Sequence, residues 1–86
     1  MQASSLDTVG QIQSRIAEKV GPQRYKVWFK NSTQLTLADG FLKVGVPNLF
    51  VGGWIENHYA DVIGEAAREV TGAEMNLTFS IDSMLL

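Results

Sequence analysis

Apolar residues recur at helical spacing over the first part of the chain. Val9, Ile12, Ile16 and Val20 lie three or four residues apart, which places them on one face of a helix. Asp7 or Thr8 can cap that helix, Gly21 supplies a stop, and Pro22 suits the first turn of a second helix. This second helix is short, about residues 22–29. Its apolar stripe is Tyr25, Trp28 and Phe29, while Arg24, Lys26 and Lys30 face water or a partner.

The period then changes from helical to alternating. Gln34-Leu-Thr-Leu-Ala and Phe41-Leu-Lys-Val-Gly-Val flank Asp39-Gly40, the pair that most strongly favours a two-residue type I′ hairpin turn. Such a turn sets the register: Ala38 opposes Phe41, Leu37 opposes Leu42, and Leu35 opposes Val44. Leu35, Leu37, Leu42 and Val44 then share the core face, with Gln34, Thr36 and Lys43 on the other.

Pro47-Asn48 ends the hairpin and Asn48 can cap a third helix. Val51, Ile55, Tyr59, Val62, Ala66 and Val70 recur every three or four residues as far as Thr71-Gly72, predicting one long helix. With successive residues about 100° apart, Val51, Ile55 and Tyr59 point inward, Gly53 and Asn57 outward, and Gly52 toward the flank. The glycine pair is therefore expected on a face that packing does not need, as a bare patch beside Phe50. A last strand over residues 75–81 alternates, with Leu77, Phe79 and Ile81 inward. The order is α-α-β-β-α-β, an α/β (α+β) fold in which helices cover one face of a three-stranded sheet. Residues 1–6 are expected to be a flexible N-terminus, residues 7–82 a single domain, and residues 83–86 a tail or the start of a linker.

Composition narrows the function. The chain has 86 residues, 45% hydrophobic and 19% charged, which suits one soluble globular domain with a modest core. It has no cysteine, so disulfides, thiolate zinc sites and cysteine nucleophiles are excluded. No apolar run is long enough for a membrane span, and no secretory signal is present. The single histidine, His58, sits in mid-helix without the partners of a catalytic triad or a metal site. No G-x-x-x-x-G-K-[ST] loop exists. No catalytic or metal-ligating residue and no cofactor is assigned to this chain. A net charge of −2 argues against a domain built mainly to grip a nucleic-acid backbone, although Arg15, Lys19, Arg24, Lys26 and Lys30 fall close together in sequence.

The pattern resembles a known family. Trp28 near the end of the short second helix, the hairpin, then Pro47-Asn48-Leu49-Phe50-Val51-Gly52-Gly53-Trp54 as P-N-x-F-V-x-x-W, and then Tyr59 are similar to the N-terminal domain (domain I) of the DnaA family of bacterial chromosomal replication initiators. The similarity spans about residues 7–82. It implies a fold related to type II KH domains and a cytoplasmic, non-enzymatic platform for protein interaction. The partners it implies are a second copy of the domain, the replicative helicase and initiation regulators, with weak single-stranded DNA at most and no membrane. A full-length DnaA-type protein would bind ATP in a later domain.

Carried over residue by residue, the resemblance implies that Phe50 contacts the helicase. Arg24 stands where the family has an acidic helicase-contacting residue, a charge reversal that either removes that contact or implies a partner changed to match. Lys26, Gly53 and Asn57 are expected on the same surface. Self-association in the family leans on a tryptophan in the first helix, and the corresponding region here is near Val9 and Ile12. The residues alone leave two readings of Phe50, a staple on Trp54 at i+4 or an exposed contact, and two of Arg24, a solvated charge or a contact. Val9 and Ile12 are likewise core residues or dimer contacts. Trp28 and Trp54 are expected in the core with Tyr25, Leu35, Leu37, Leu42, Val44, Val51, Ile55, Tyr59, Val62 and Phe79. The alternative function is a stand-alone KH-like single-stranded nucleic-acid binder. Such a domain wants a G-x-x-G loop with basic residues, whereas Gly52 and Gly53 are adjacent and no lysine or arginine lies between Lys43 and Arg68.

Overall fold

The computed structural model describes residues 5–30, 32–38 and 40–82. Residues 1–4 of the expected N-terminal stretch, Asp39 of the turn and the 83–86 tail lie outside that range. Helix α1 spans Ser5–Val20, so Asp7 and Thr8 lie inside it instead of capping it, and Ser5 and Leu6 belong to the helix. Gly21 follows with φ +93°, a conformation that L side chains rarely adopt, and it lets the chain turn sharply into Pro22. Helix α2 is a single turn, Pro22–Tyr25. It continues as a π-helical turn, Lys26–Lys30, in place of the uniform short helix expected. The wider turn brings the Tyr25 and Phe29 rings into a stack, with centroids 5.5 Å apart. The Thr33 hydroxyl donates to the Trp28 carbonyl at 2.7 Å and holds the exit of that turn.

Strands β1 (Gln34–Ala38) and β2 (Phe41–Val46) pair antiparallel in the expected register, Leu35 with Val44 and Leu37 with Leu42. Helix α3, Leu49–Thr71, then crosses the sheet and delivers β3 (Asn76–Ile81) parallel to β2. A parallel neighbour requires such a crossover, and the sheet order is β1-β2-β3. Helices α1 and α3 pack on each other and together cover one face of the sheet, giving the α-α-β-β-α-β arrangement that the pattern implies.

The core is Ile12, Ile16 and Val20 from α1, Phe29, Leu35 from β1, Leu42, Val44 and Val46 from β2, and Ile55, Ile63, Ala66 and Ala67 from α3. Each fully buried isoleucine stabilises the fold by roughly 1.5–3 kcal/mol. Tyr25, Trp28, Leu37, Val51, Tyr59, Val62 and Phe79 pack against this core while half-buried. Two further expectations fail. Ile81 is 53% exposed, because it ends an edge strand beyond the cover of α3. Gly52 is buried, and a Cβ there would lie 2.9 Å from Val46 Cγ2. The helix therefore approaches β2 closely at Gly52, so this glycine is required for helix–sheet contact and does not lie on the bare flank.

Candidate protein-interaction surface

The surface begins at the cap of α3. Asn48 is extended at φ −160° and ψ 173°, and its Oδ1 accepts a hydrogen bond from the Val51 N–H at 2.9 Å. That bond satisfies one of the free donors of the first helical turn and fixes the direction in which the next residues project. Leu49 and Phe50 follow at 80% and 72% exposure. Phe50 stacks on no other ring among the described residues, so it stands free and does not staple the helix to Trp54.

One turn later, Trp54 lies at the surface and not in the core, 39% exposed. The physical reason is its partner: its ring stacks nearly parallel on Trp28, with centroids 5.0 Å apart. Trp28 in turn rides outside the buried Phe29. His58, the next residue along this side of α3, places its ring centroid 4.1 Å from that of Trp54. Deeper, Phe29 meets Tyr59 at 5.4 Å. An aromatic chain thus fastens α2 and the π-helical turn against the flank of α3, and its outer members keep one side in water.

Around these rings α2 and the π-helical turn supply the cations, while α3 carries exposed carboxylates, Glu56 two residues after Trp54 and Asp61 three after His58. Arg24, Lys26 and Lys30 are exposed, and none has an ion-pair partner among the described residues. Arg24 shares a groove of about 400 Å³ with Val20, Trp54, His58 and Val62. Lys19 borders the same groove but is neutralised. Its Nζ lies 2.6 Å from Glu65 Oε1 and 2.8 Å from Glu69 Oε2, and Arg15 adds a longer pair to Glu69 at 3.7 Å. The hydrogen bonds that Lys19 donates to Glu65 and then to Glu69 raise its pKa above the ordinary value, and the one that Glu65 accepts from Lys19 lowers that of Glu65. This cluster joins α1 to α3.

The remaining residues singled out by the pattern divide. Asn57 is exposed on the outer side of α3, and Gly53 is half-buried with nothing within 4 Å of an added Cβ. Ile12 is fully buried and Val9 half-buried against the core. Ile12 therefore has no surface to offer a second copy, because α1 turns that side onto α3 and the sheet. Two exposed apolar residues, Leu49 and Val27, belong to this surface and carry no periodic signal, since each is an apolar side chain off its helix's buried stripe. Among the described residues no cluster of three histidine, cysteine or acidic groups could hold a metal ion. Among the same residues, no helix is long and apolar enough to cross a membrane.

Fold and surface together define a small α+β domain distinguished by an uncovered aromatic face instead of an enclosed pocket. The family model of the DnaA N-terminal domain matches residues 10–69, more than half of the chain, and the chain belongs to that family. It is accordingly a DnaA N-terminal domain, part of the machinery that initiates DNA replication.

Proposed function

We propose that this domain works by protein contact in the bacterial cytoplasm, recruiting the replicative helicase or an initiation regulator to the origin, with no catalytic step of its own. The contact surface is α2 and the first two turns of α3: Arg24 and Lys26 on one side, Leu49, Phe50 and Trp54 on the other, with Gly53 and Asn57 at the edge. The observation that carries this reading is the exposure of Phe50 at 72%. A large aromatic side chain held in water by a capped helix end is the usual form of an interface anchor. Self-association, where it occurs, uses a surface other than Ile12.

The test is an NMR titration of labelled domain with its cognate replicative helicase. Shifts are expected at Leu49, Phe50, Trp54 and Arg24, and Phe50→Ala should weaken binding at least tenfold. Shifts confined to the open sheet face or to α1 would overturn the site. A second reading, weak single-stranded DNA binding, draws support from the exposed Trp54 and His58 rings beside unpaired cations, since bases stack on such rings. It predicts binding of oligo-dT that falls steeply with salt.

A further inference from the structure

We propose that the segment received by this surface is an acidic amphipathic helix, with apolar side chains set on Leu49, Phe50 and Trp54 and carboxylates facing Arg24 and Lys26. This rests on the reading of α2 and the start of α3 as the contact surface, and adds the chemistry of the partner.

Charge complementarity carries it. Residues 22–30 hold three cations, Arg24, Lys26 and Lys30, and no carboxylate, a net of +3, while in residues 31–55 Lys43, on the open sheet face, balances Asp39. Residues 56–82 hold one cation, Arg68, against six carboxylates, Glu56, Asp61, Glu65, Glu69, Glu74 and Asp82, a net of −5. Residues 1–21 balance, with Asp7 and Glu18 against Arg15 and Lys19, which restores the overall −2. The acidic end is partly satisfied internally, because Arg15, Lys19 and Arg68 all pair with its glutamates. The cations of α2 and the π-helical turn pair with nothing described. Of the six large apolar side chains left exposed among the described residues, Val27 lies on the basic turn itself and Leu49, Phe50 and Trp54 lie at the start of α3. Apolar anchors bordered on the α2 side by unpaired cations fit a partner whose apolar stripe carries carboxylates along the matching side.

A helix suits the shape. Phe50 and Trp54 are four residues apart on α3, hence about 6 Å along its axis, and the groove that Arg24 lines runs beside Trp54. A helix laid along that groove presents its own side chains at i, i+3 and i+4 with the same rise. Arg24 borders the groove with Trp54, so one carboxylate adjacent to an apolar anchor can reach it.

A phage-displayed library of random peptides, panned on the immobilised domain, tests this without prior choice of partner. Enriched peptides should carry net negative charge with apolar residues at i and i+3 or i+4. The same panning on Arg24→Glu should move enrichment toward neutral or basic peptides, and on Phe50→Ala should lose it. Both side chains are exposed, so both variants fold. Synthetic copies of the enriched peptides should bind at least tenfold tighter than versions with lysine for glutamate, and should be tighter binders than oligo-dT. Neutral or basic enrichment, no enrichment, a preference that ignores Arg24→Glu, or tighter binding of oligo-dT would each overturn the proposal. The helicase titration separates the two claims. Shifts at Phe50 without acidic preference leave the surface standing and remove the acidic helix, whereas shifts elsewhere remove both.

Discussion

A methyl group added at Gly52 would stand 2.9 Å from Val46 Cγ2, and Val46 has no room to yield, being 1% exposed in the core. Its γ-methyls sit on a β-branched, stiff side chain, so the clash must be taken up by the backbone. Gly52→Ala should therefore cost about 1–3 kcal/mol through overpacking, reduced by the roughly 1 kcal/mol that alanine gains over glycine in a helix. At Gly53 nothing lies within 4 Å, and Gly53→Ala should stabilise by up to about 1 kcal/mol. Urea unfolding of the two variants checks the opposite signs. Val46→Ala introduced with Gly52→Ala should recover part of the loss, and strictly additive effects would show that the two side chains do not meet. Asn48→Ala, which removes the cap on the Val51 N–H, should cost about 1 kcal/mol in the same assay. Phe50→Ala should leave stability within about 0.5 kcal/mol. The hydropathy pattern could not show the role of Gly52, because a residue without a side chain casts no vote for either face. The buried positions Gly52, Ile55, Ile63, Ala66 and Ala67 form a stripe turned slightly from the one begun at Val51, and only the strand facing the helix reveals it.

At the scale of elements, the hairpin was legible because two independent signals agree: Asp39-Gly40 sets a register, and alternation in both strands names the same core face. The pairing of β3 with β2 in parallel was not, since no local pattern encodes which edge a final strand joins. The same holds for the cluster of Lys19 with Glu65 and Glu69, which links α1 to α3 across some fifty intervening positions. Its consequence is a pH dependence with a definite sign. Glu65 titrates below the ordinary carboxylate value of 4.5, so its contribution is present above that value and is lost as pH falls through the lowered one. Lys19 titrates above the ordinary 10.5, so its contribution is present below that value and is lost as pH rises through the raised one. Between those limits both are present. Lys19→Met should therefore lower the melting temperature at neutral pH, and the difference from the unaltered domain should close as the pH falls toward about 3. Circular-dichroism melts across that range measure it; a gap that stays constant would mean that Lys19 acts through packing of its stem and not through charge.

Across the whole molecule, charge is divided between a basic end at α2 with the π-helical turn and an acidic side along α3 from Glu56 onward, with Glu74 and Asp82 on either side of β3. The basic cluster was visible as residue types in the sequence. That it stays unpaired, and that Leu49, Phe50 and Trp54 stand exposed beside it, depends on how α2 docks on α3 through the stack of Trp28 on Trp54, two residues that the family resemblance places in the core. Such a division acts on encounter before it acts on grip. A partner with an acidic face is drawn toward the basic end over distances set by the Debye length, about 10 Å at 0.1 M salt. Rim charges chiefly set the association rate, and desolvated apolar anchors chiefly set the dissociation rate. Stopped-flow mixing with an acidic amphipathic peptide should then separate the two residue types. Arg24→Glu should slow association by about tenfold at low salt, with the effect shrinking as salt screens the charges. Phe50→Ala should leave association within about twofold and speed dissociation at least tenfold. An Arg24 effect confined to dissociation and indifferent to salt would mean that the guanidinium is buried in the complex, and the steering role of the basic end would be lost.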